Sequence, residues 1–328
     1  CSNYVNIANT TSTSYSDTGL TASTTYQYKV EAVDAANNVS IDSQVVSAAT
    51  DAVTPNSNED FTVVFLPDTQ YYSELYPGTF DAQTQWIVDN KNNLNIVFVS
   101  HLGDVVEHSA QNIEWVRASS SMGILDNNNI PYGIVAGNHD LDRPWDGLLG
   151  TWNAYLQYFP ASRSDQKPWW GGYYQPGNAS RTSSYQLISV GSLDFLFLHL
   201  EFQAPDDVLN WARGVLQSYP NRRAIVSTHY YLDANGQRNT GVPNGVRSGA
   251  NFGEDIWQEL VRSEPNIFMV HSAHISSEAR LTSSNDAGKS VYQILTDFQG
   301  GLNGGDGWLR YYVFKPSLNE IHAFTYSP

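Results

Sequence analysis

The sequence has 328 residues, with 17 basic and 33 acidic side chains, a formal net charge of −16 at pH 7, and a globular composition of 41% hydrophobic and 15% charged residues. The negative charge argues against a stable nucleic-acid partner, because such binding relies on lysine and arginine to neutralise phosphates. The only cysteine, Cys1, excludes a disulfide framework and a cysteine-based zinc site, and no apolar run is long enough to predict a membrane span.

Residues 1–50 are rich in Thr, Ser, Asn and Val and alternate over short stretches, which predicts strands joined by turns. The run DTGLTASTTYQYKVEAVDAANNVS resembles the second half of a fibronectin type III domain, with Leu20 and Tyr26 matching its tyrosine corner. We therefore expect a partial all-β module in which Cys1 is a fragment boundary rather than a lipid anchor. Residues 51–59, DAVTPNSNE, are predicted to form a polar linker.

A different pattern begins at residue 60. Three short, nearly continuous apolar runs predict buried parallel strands: FTVVFL (61–66), NIVFVS (95–100) and YGIV (132–135). Helical patterns separate them at 80–90 and 112–125. The resulting β-α-β-α-β order predicts a sheet covered by helices on at least one face.

Many further strands follow in the second half of the chain. Apolar stretches predict them in YQLISV, LDFLFLHL, AIVS, IFMV, VYQIL, YYVF and IHAFTY, with helices over DDVLNWARGVLQ and EDIWQELVR. So many strands predict two packed sheets. The expected fold class for residues 60–328 is α/β (α+β): a four-layer αββα sandwich of two mixed sheets flanked by helices.

Polar side chains follow five of the predicted strands, at the point where each strand ends. Ligands bind outside the carboxyl ends of strands in open α/β sheets, so these side chains are expected to share one crevice. Histidine and carboxylate ligands together suit Zn, Mn or Fe, whereas oxygen ligands suit Mg, Ca or Mn. The side chains are Asp68, Gln70, Asp104, Glu107, Asn138, His139, Asp140, His229 and His274.

The order of these motifs resembles the calcineurin-like metallophosphoesterase superfamily over residues 60–328. That family has Asp-x-His, Gly-Asp-x-x-Asp, Gly-Asn-His-Asp/Glu, an isolated His, and Gly-His-x-His. Each single motif is weak, but all five occur here in order and at strand ends. They read Asp68-Thr69-Gln70, Gly103-Asp104-Val105-Val106-Glu107, Gly137-Asn138-His139-Asp140, His229, and Ala273-His274-Ile275-Ser276.

The resemblance implies two divalent metal ions bridged by Asp104. It assigns Asn138, His229 and His274 to the second metal and Asp68 to the first.

Gln70 and Ser276 stand where the family has histidines of the first metal site. The loss of two imidazoles predicts a harder first site, favouring Mn, Mg or Ca over Zn, and leaves its full occupancy open. We hypothesise that the Gln70 amide oxygen or Glu107 completes this site.

The resemblance also implies an enzyme that hydrolyses a small or polymeric phosphoester. In this family a metal-bridging hydroxide attacks phosphorus in line with the leaving oxygen. His139 would protonate that oxygen as the general acid. Asp140 would orient the imidazole through its other nitrogen.

Several other polar residues have two interpretations. His101, His108 and His199 are favoured as structural, and His271 is a less favoured ligand than His274. The glycine-rich stretch 297–310 is either a plain loop or a substrate loop. In the second case Arg310 grips a phosphate or carboxylate beside Asp306 and Trp308. KPWWGGYY (167–174) is expected to be an aromatic loop that either lines the cleft, stacking on a base or sugar, or is buried by packing, and the second interpretation is favoured.

A competing hypothesis is a non-catalytic or single-metal extracellular binding protein on the same scaffold. Gln70 and Ser276 motivate it, but a binding protein has no need of His139 and Asp140, so the sequence favours an enzyme. The fibronectin-like segment and the low charged fraction predict a secreted or cell-surface location in a bacterium.

Overall fold

The computed structural model describes residues 4–17, 20, 24–49, 59–142, 150–175, 182–241 and 249–328. The chain divides into two units, Cys1–Asn56 and Ser57–Pro328. In the first, strands β1 (Thr25–Tyr28) and β2 (Val46–Ala49) pair antiparallel. The fibronectin resemblance stays a prediction, and the linker expected at 51–59 lies outside the described residues except for Glu59.

The described strands of the second unit form two sheets. In chain order these strands are β3 (Phe61–Leu66), β4 (Ile96–His101), β5 (Tyr132–Ile134), β6 (Trp170–Tyr173), β7 (Ser184–Val190), β8 (Leu193–Leu200), β9 (Arg223–Thr228), β10 (Ile267–Ser272), β11 (Glu278–Ser284), β12 (Ser290–Thr296), β13 (Leu309–Lys315) and β14 (Glu320–Tyr326). One sheet has the order β14-β13-β3-β4-β5 and the other β11-β12-β10-β9-β8-β7-β6. Both are mixed: β3, β4 and β5 run parallel, as do β8, β9, β10 and β12, while the remaining pairs are antiparallel.

The helices of this unit connect or flank the strands. They are α1 (Gln70–Glu74), α2 (Pro77–Asn90), α3 (Asn112–Asn127), α4 (Asn153–Tyr158), α5 (Asp206–Ser218) and α6 (Gly253–Ile256), which continues as a π-helical turn over Trp257–Val261. Short 3-10 turns lie at Ala161–Arg163 and Leu302–Gly304. Among the described residues, no helix is both long and apolar enough to cross a membrane.

Three apolar clusters define the layers. Aromatic side chains such as Phe65, Phe98 and Phe197 fill the space between the two sheets. A second cluster packs α2, α3 and α4 on the outer face of the five-stranded sheet, and a third packs α5 and α6 on the outer face of the seven-stranded sheet. Every residue of β3 is buried because the strand is central in its sheet and is covered on both faces. The predicted αββα sandwich of two mixed sheets is confirmed.

Helix α5 shows how local sequence sets this packing. Asp206 and Asp207 occupy its first turn, where carboxylates complement the helix dipole. Its buried side chains recur at helical spacing and face the sheet: Val208, Leu209, Ala212, Val215 and Leu216.

Two edge strands depart from the sequence-based expectation. Trp170–Tyr173 lies in the stretch predicted as an aromatic loop, but it forms β6 at one edge of the seven-stranded sheet. Glu278–Ser284 forms β11 at the other edge, where it pairs only with β12. Its residues alternate between exposed and half-buried, so the strand contains no apolar run that would predict it. Edge strands need fewer apolar side chains than central strands, so hydrophobic patterning underpredicts them.

Candidate metal centre

The loops after five parallel strands meet at one end of the two facing sheets. Asp68, Asp104 and Asn138 follow β3, β4 and β5 in one sheet, whereas His229 and His274 follow β9 and β10 in the other. The structure brings these five residues together, since each of the other four has an atom within 3.7 Å of the His229 imidazole.

The His229 imidazole lies at the middle of this group. Its Nδ1 donates to the backbone carbonyl of Leu102 at 3.0 Å, which leaves the lone pair of a neutral ring on Nε2. That Nε2 lies 3.1 Å from an Asp104 carboxylate oxygen and 3.0 Å from the Asn138 side-chain oxygen. The Nδ1 of His274 is 3.2 Å away.

This crowding of electron-rich atoms fits a bound cation. Asp104, His229 and His274 each offer one ligand atom, and these atoms lie within 4.8 Å of one another. Lone pairs facing one another in a buried site repel unless a positive charge lies between them. Mixed imidazole and carboxylate donors suit Zn, Mn or Fe.

Electrostatics at Asp104 and His229 agree with that fit. Burial opposes ionisation of Asp104, but the His229 imidazole and its hydrogen bond lower the pKa of this carboxyl to about 2. Burial also opposes protonation of His229, yet the Asp104 charge raises its pKa above the usual value. In the absence of a metal, the Asp104 carboxylate therefore stabilises the protonated, positively charged His229 imidazole.

The backbone around the site adopts conformations that L-residues seldom take. Asp104 has φ 47° and His274 has φ 72°, both in the left-handed region. Such residues cost roughly 1–3 kcal/mol each and persist where their surroundings hold them. A Cβ at Gly137 would lie 2.2 Å from both the backbone nitrogen and a carboxylate oxygen of Asp104, so only glycine permits this approach of the two loops.

Asp68 lies in a second, acidic part of the site. One of its carboxylate oxygens accepts from the Gln299 side-chain nitrogen at 3.0 Å. Burial raises the pKa of Asp68 well above its usual value, and the neighbouring carboxylates of Asp297 and Asp104 raise it further. Burial likewise raises the pKa of Asp297 to about 6. Gln70 is buried, and its amide oxygen has no hydrogen-bond partner among the described residues.

Asp297 and Gln299 were not identified as site residues from the sequence, although a signal for them existed. They directly follow strand β12, which runs parallel to β10 in the same sheet. Polar residues at the carboxyl end of a parallel strand were the criterion for every other candidate. The glycine-rich stretch that follows Asp297 favoured reading the whole segment as a loop.

The side chain of His139 is held by Glu107. The imidazole Nδ1 lies 2.8 Å from the Glu107 backbone carbonyl and 3.3 Å from its carboxylate. The backbone nitrogen of His139 donates to Asp104 at 2.8 Å. About one third of the His139 side chain is exposed, which leaves the ring accessible from the cleft. Glu107 as a metal ligand stays a prediction.

The expected orientation of His139 by Asp140 is wrong. The Asp140 carboxylate is fully buried and accepts from three backbone nitrogens: Val105 at 2.8 Å, Val106 at 3.2 Å and Gly137 at 2.8 Å. Three backbone donors satisfy a buried carboxylate better than one imidazole does. Asp140 therefore ties the loop after β5 to the loop after β4.

The candidate substrate residues lie along an adjoining cavity of about 310 Å³. Asp306 and Trp308 line it together with Ser276, Glu278 and Asp297. Arg310 is not among its lining residues. Its guanidinium pairs with Glu278 and donates to the Thr325 hydroxyl at 3.0 Å.

The remaining histidines have structural contacts. His101, His199 and His271 are fully buried, and burial lowers the pKa of each to about 3. Their ring nitrogens lie 2.9–3.0 Å from the hydroxyls of Thr69, Ser100 and Tyr312 respectively. His271 also stacks on Phe65 between the sheets, so it faces away from the cluster around His229. His108 pairs with Glu114 at 3.0 Å.

Comparison with known proteins gives a family match and several relatives. The profile of the calcineurin-like phosphoesterase family matches residues 61–299. The chain is 38% identical over 280 residues to the uncharacterized protein YvnB of Bacillus subtilis (strain 168), an alignment covering 84% of this chain and 20% of YvnB. The chain thus spans a fifth of the length of this curated relative.

Two solved structures are also similar in fold. A purple acid phosphatase from yellow lupin seeds is 14% identical with a TM-score of 0.49, covering 94% of this chain and 60% of the lupin chain. A dimetal phosphatase from Danio rerio is 15% identical with a TM-score of 0.46, covering 81% of this chain and 99% of that chain.

Proposed function

Because this chain belongs to the calcineurin-like phosphoesterase family, we propose that it is a metal-dependent hydrolase of small or polymeric phosphoesters. The observation that carries the proposal is the cluster around His229, where a carboxylate, an amide oxygen and two imidazoles converge on one buried point. Divalent ions bound there would polarise phosphoryl oxygens and lower the pKa of water enough to supply a nucleophile.

The donor set supports two adjacent metals. Asn138, His229 and His274 would hold one ion, and Asp68 would hold the other, with Gln70 as a further ligand. Asp104 would be shared between them, because its carboxylate lies 3.1 Å from His229 Nε2 and its charge also acts on the neighbouring Asp68. Zn, Fe, Mn, Mg and Ca are all candidates, with oxygen donors favouring the harder ions.

His139 would act as the general acid. Its Nδ1–H donates to the Glu107 carbonyl, so Nε2 is the nitrogen that would carry the proton to the leaving oxygen. The Glu107 carboxylate lies 3.3 Å from the same Nδ1 and would help to hold the ring in this orientation. General acid catalysis of this kind typically contributes about 10²–10⁴-fold.

The test combines metal content with turnover. We would measure divalent metals per chain by elemental mass spectrometry, and hydrolysis of aryl phosphate mono- and diesters, for the wild type, His139→Ala and His322→Ala. His322 is an exposed histidine paired with Glu320 on β14 and serves as the matched control. We expect close to two metals per chain, a loss of about 10²-fold or more in kcat for His139→Ala, and wild-type turnover for His322→Ala.

A wild-type protein that binds metal but turns over neither ester would contradict the proposal. It would favour a binding protein on the same scaffold. One metal per chain with retained turnover would instead indicate a single-metal hydrolase.

We further propose that the protein acts outside the bacterial cell or at its surface. The support is the fibronectin-like pattern of residues 1–50 and the low charged fraction. Fractionation of the source organism, with antibody detection in medium, envelope and cytoplasm, tests this. Recovery in the cytoplasm alone would contradict it.

A further inference from the structure

The segment after β12 packs directly on Ser276. The backbone nitrogen of Gly300 donates to the Ser276 hydroxyl at 2.8 Å. A Cβ at Gly300 would lie 2.5 Å from that hydroxyl oxygen, so a methyl group there would force one of the two loops or the Ser276 side chain to shift. The close approach of this segment therefore depends on a small side chain at position 276. That approach brings Asp297 and Gln299 toward Asp68.

Four buried side-chain oxygens in this region have no hydrogen-bond partner among the described residues. They belong to Asp68, Gln70, Asp297 and Gln299. An unsatisfied buried polar atom costs roughly 1–3 kcal/mol, so four in one region call for an explanation. Within the described ranges, neither Asp68 nor Asp297 forms an ion pair with a lysine or arginine.

Contacts join three of these residues in one constellation. The Gln299 side-chain nitrogen donates to Asp68 at 3.0 Å and to the His274 backbone carbonyl at 3.2 Å, which leaves the Gln299 oxygen as a free acceptor. The Gln299 backbone nitrogen donates to one oxygen of Asp297 at 2.9 Å, and the other oxygen of Asp297 is unpaired. Asp297 is 2% exposed and is one of the residues that line the 310 Å³ cavity.

We propose that Asp297 and Gln299 join Asp68 and Gln70 in an oxygen-only site for a hard divalent cation, which replaces the two missing imidazoles of the first metal site. This inference rests on the metal-dependent function proposed above. Carboxylate and amide oxygens are the donors that Mg²⁺, Mn²⁺ and Ca²⁺ prefer, whereas the imidazoles of His229 and His274 suit Zn²⁺ better. The two neighbouring sites should therefore differ in metal selectivity.

The experiment measures binding rather than turnover. The metal-free protein is first loaded with one equivalent of Zn²⁺, to fill the imidazole site, and is then titrated with Mn²⁺ by calorimetry and by the loss of the free Mn²⁺ electron paramagnetic resonance signal. The wild type is compared with Asp297→Asn and with Asp286→Asn. Asp286 is an exposed aspartate paired with Arg262 in the turn between β11 and β12, at the end of β12 opposite to Asp297, so its variant controls for the loss of one negative charge.

We expect the Zn-loaded wild type and Asp286→Asn to bind one Mn²⁺ per chain. Asp297→Asn should bind that Mn²⁺ more than tenfold more weakly and should keep its single Zn²⁺. Equal Mn²⁺ affinity in Asp297→Asn and the wild type would overturn the proposal. So would a Zn-loaded wild type that binds no Mn²⁺, which would mean that Asp68 and Asp297 share a proton instead of a metal.

A Zn-loaded wild type that binds no Mn²⁺ overturns the proposal even if Asp297→Asn does not fold. The outcome is also independent of the proposed activity. Mn²⁺ binding without phosphoester turnover would refute the hydrolase and leave the oxygen-only site standing. Turnover without Mn²⁺ binding would do the reverse.

Discussion

Replacement of Asp140 separates a structural role from a catalytic one. Its carboxylate accepts from the backbone nitrogens of Val105, Val106 and Gly137, all within 3.2 Å, and is fully buried. These bonds hold the loop that carries Asn138 and His139 against the loop that carries Asp104. If Asp140 serves this purpose, its loss should lower the free energy of unfolding as well as metal binding.

The size of the effect follows from the three donors. Asp140→Ala leaves three buried N–H groups without an acceptor, at roughly 1–3 kcal/mol each. Burial and repulsion from Asp104 raise the pKa of Asp140 to about 7. The substitution removes this unfavourable charge, which offsets part of the loss. We therefore expect the lower end, about 3 kcal/mol. Asp140→Asn keeps one oxygen for Val105 and Val106 but turns an amide N–H₂ toward the Gly137 N–H, so it should cost about 1–2 kcal/mol.

Urea unfolding of the metal-free protein at pH 8, where Asp140 is ionised, measures both variants. Tryptophan fluorescence is a suitable probe, because all nine tryptophans lie within Ser57–Pro328. The free energy of unfolding should decrease from the wild type to Asp140→Asn and again to Asp140→Ala. Changes below roughly 0.5 kcal/mol, the range of ordinary surface substitutions, together with a large loss of kcat would refute the structural role. That result would restore Asp140 as a residue acting on His139.

Two further predictions concern Glu107 and His199. Glu107→Gln removes the carboxylate 3.3 Å from His139 Nδ1 but keeps the backbone carbonyl contact, so we expect kcat to fall about tenfold while the urea midpoint stays unchanged. An unchanged kcat would exclude this positioning role. His199 is buried and neutral, with burial lowering its pKa to about 3, so the folded state binds fewer protons than the unfolded state at any pH between about 3 and 6.5. The wild type should therefore lose about 1.4 kcal/mol per pH unit below pH 6.5 relative to His199→Gln; urea unfolding at pH 7.5 and pH 5 checks this, and a pH-independent difference between the two proteins would contradict it.

The sequence alone was sufficient to predict the order of the central strands and of the longer helices, and it identified the residues that meet around His229. Apolar runs such as residues 61–66 mark central strands, and the carboxyl ends of parallel strands share one edge of a sheet. Asp68, Asp104, Asn138, His229 and His274 therefore had to lie near one another once the two sheets packed face to face.

Side-chain pairing within the site was decided only by the tertiary structure. Asp140 follows His139 in the chain, yet its carboxylate turns to the backbone of another loop, and Glu107 takes the imidazole. Asp68 and Gln299 are 231 residues apart but share a hydrogen bond. Within a strand, the alternation of side chains predicts which face of the sheet each residue occupies. After the strand ends, this rule no longer applies to the side chains of the following loop. Beyond that point, the left-handed turns at Asp104 and His274 and the contact of Gly300 with Ser276 decide where each side chain points.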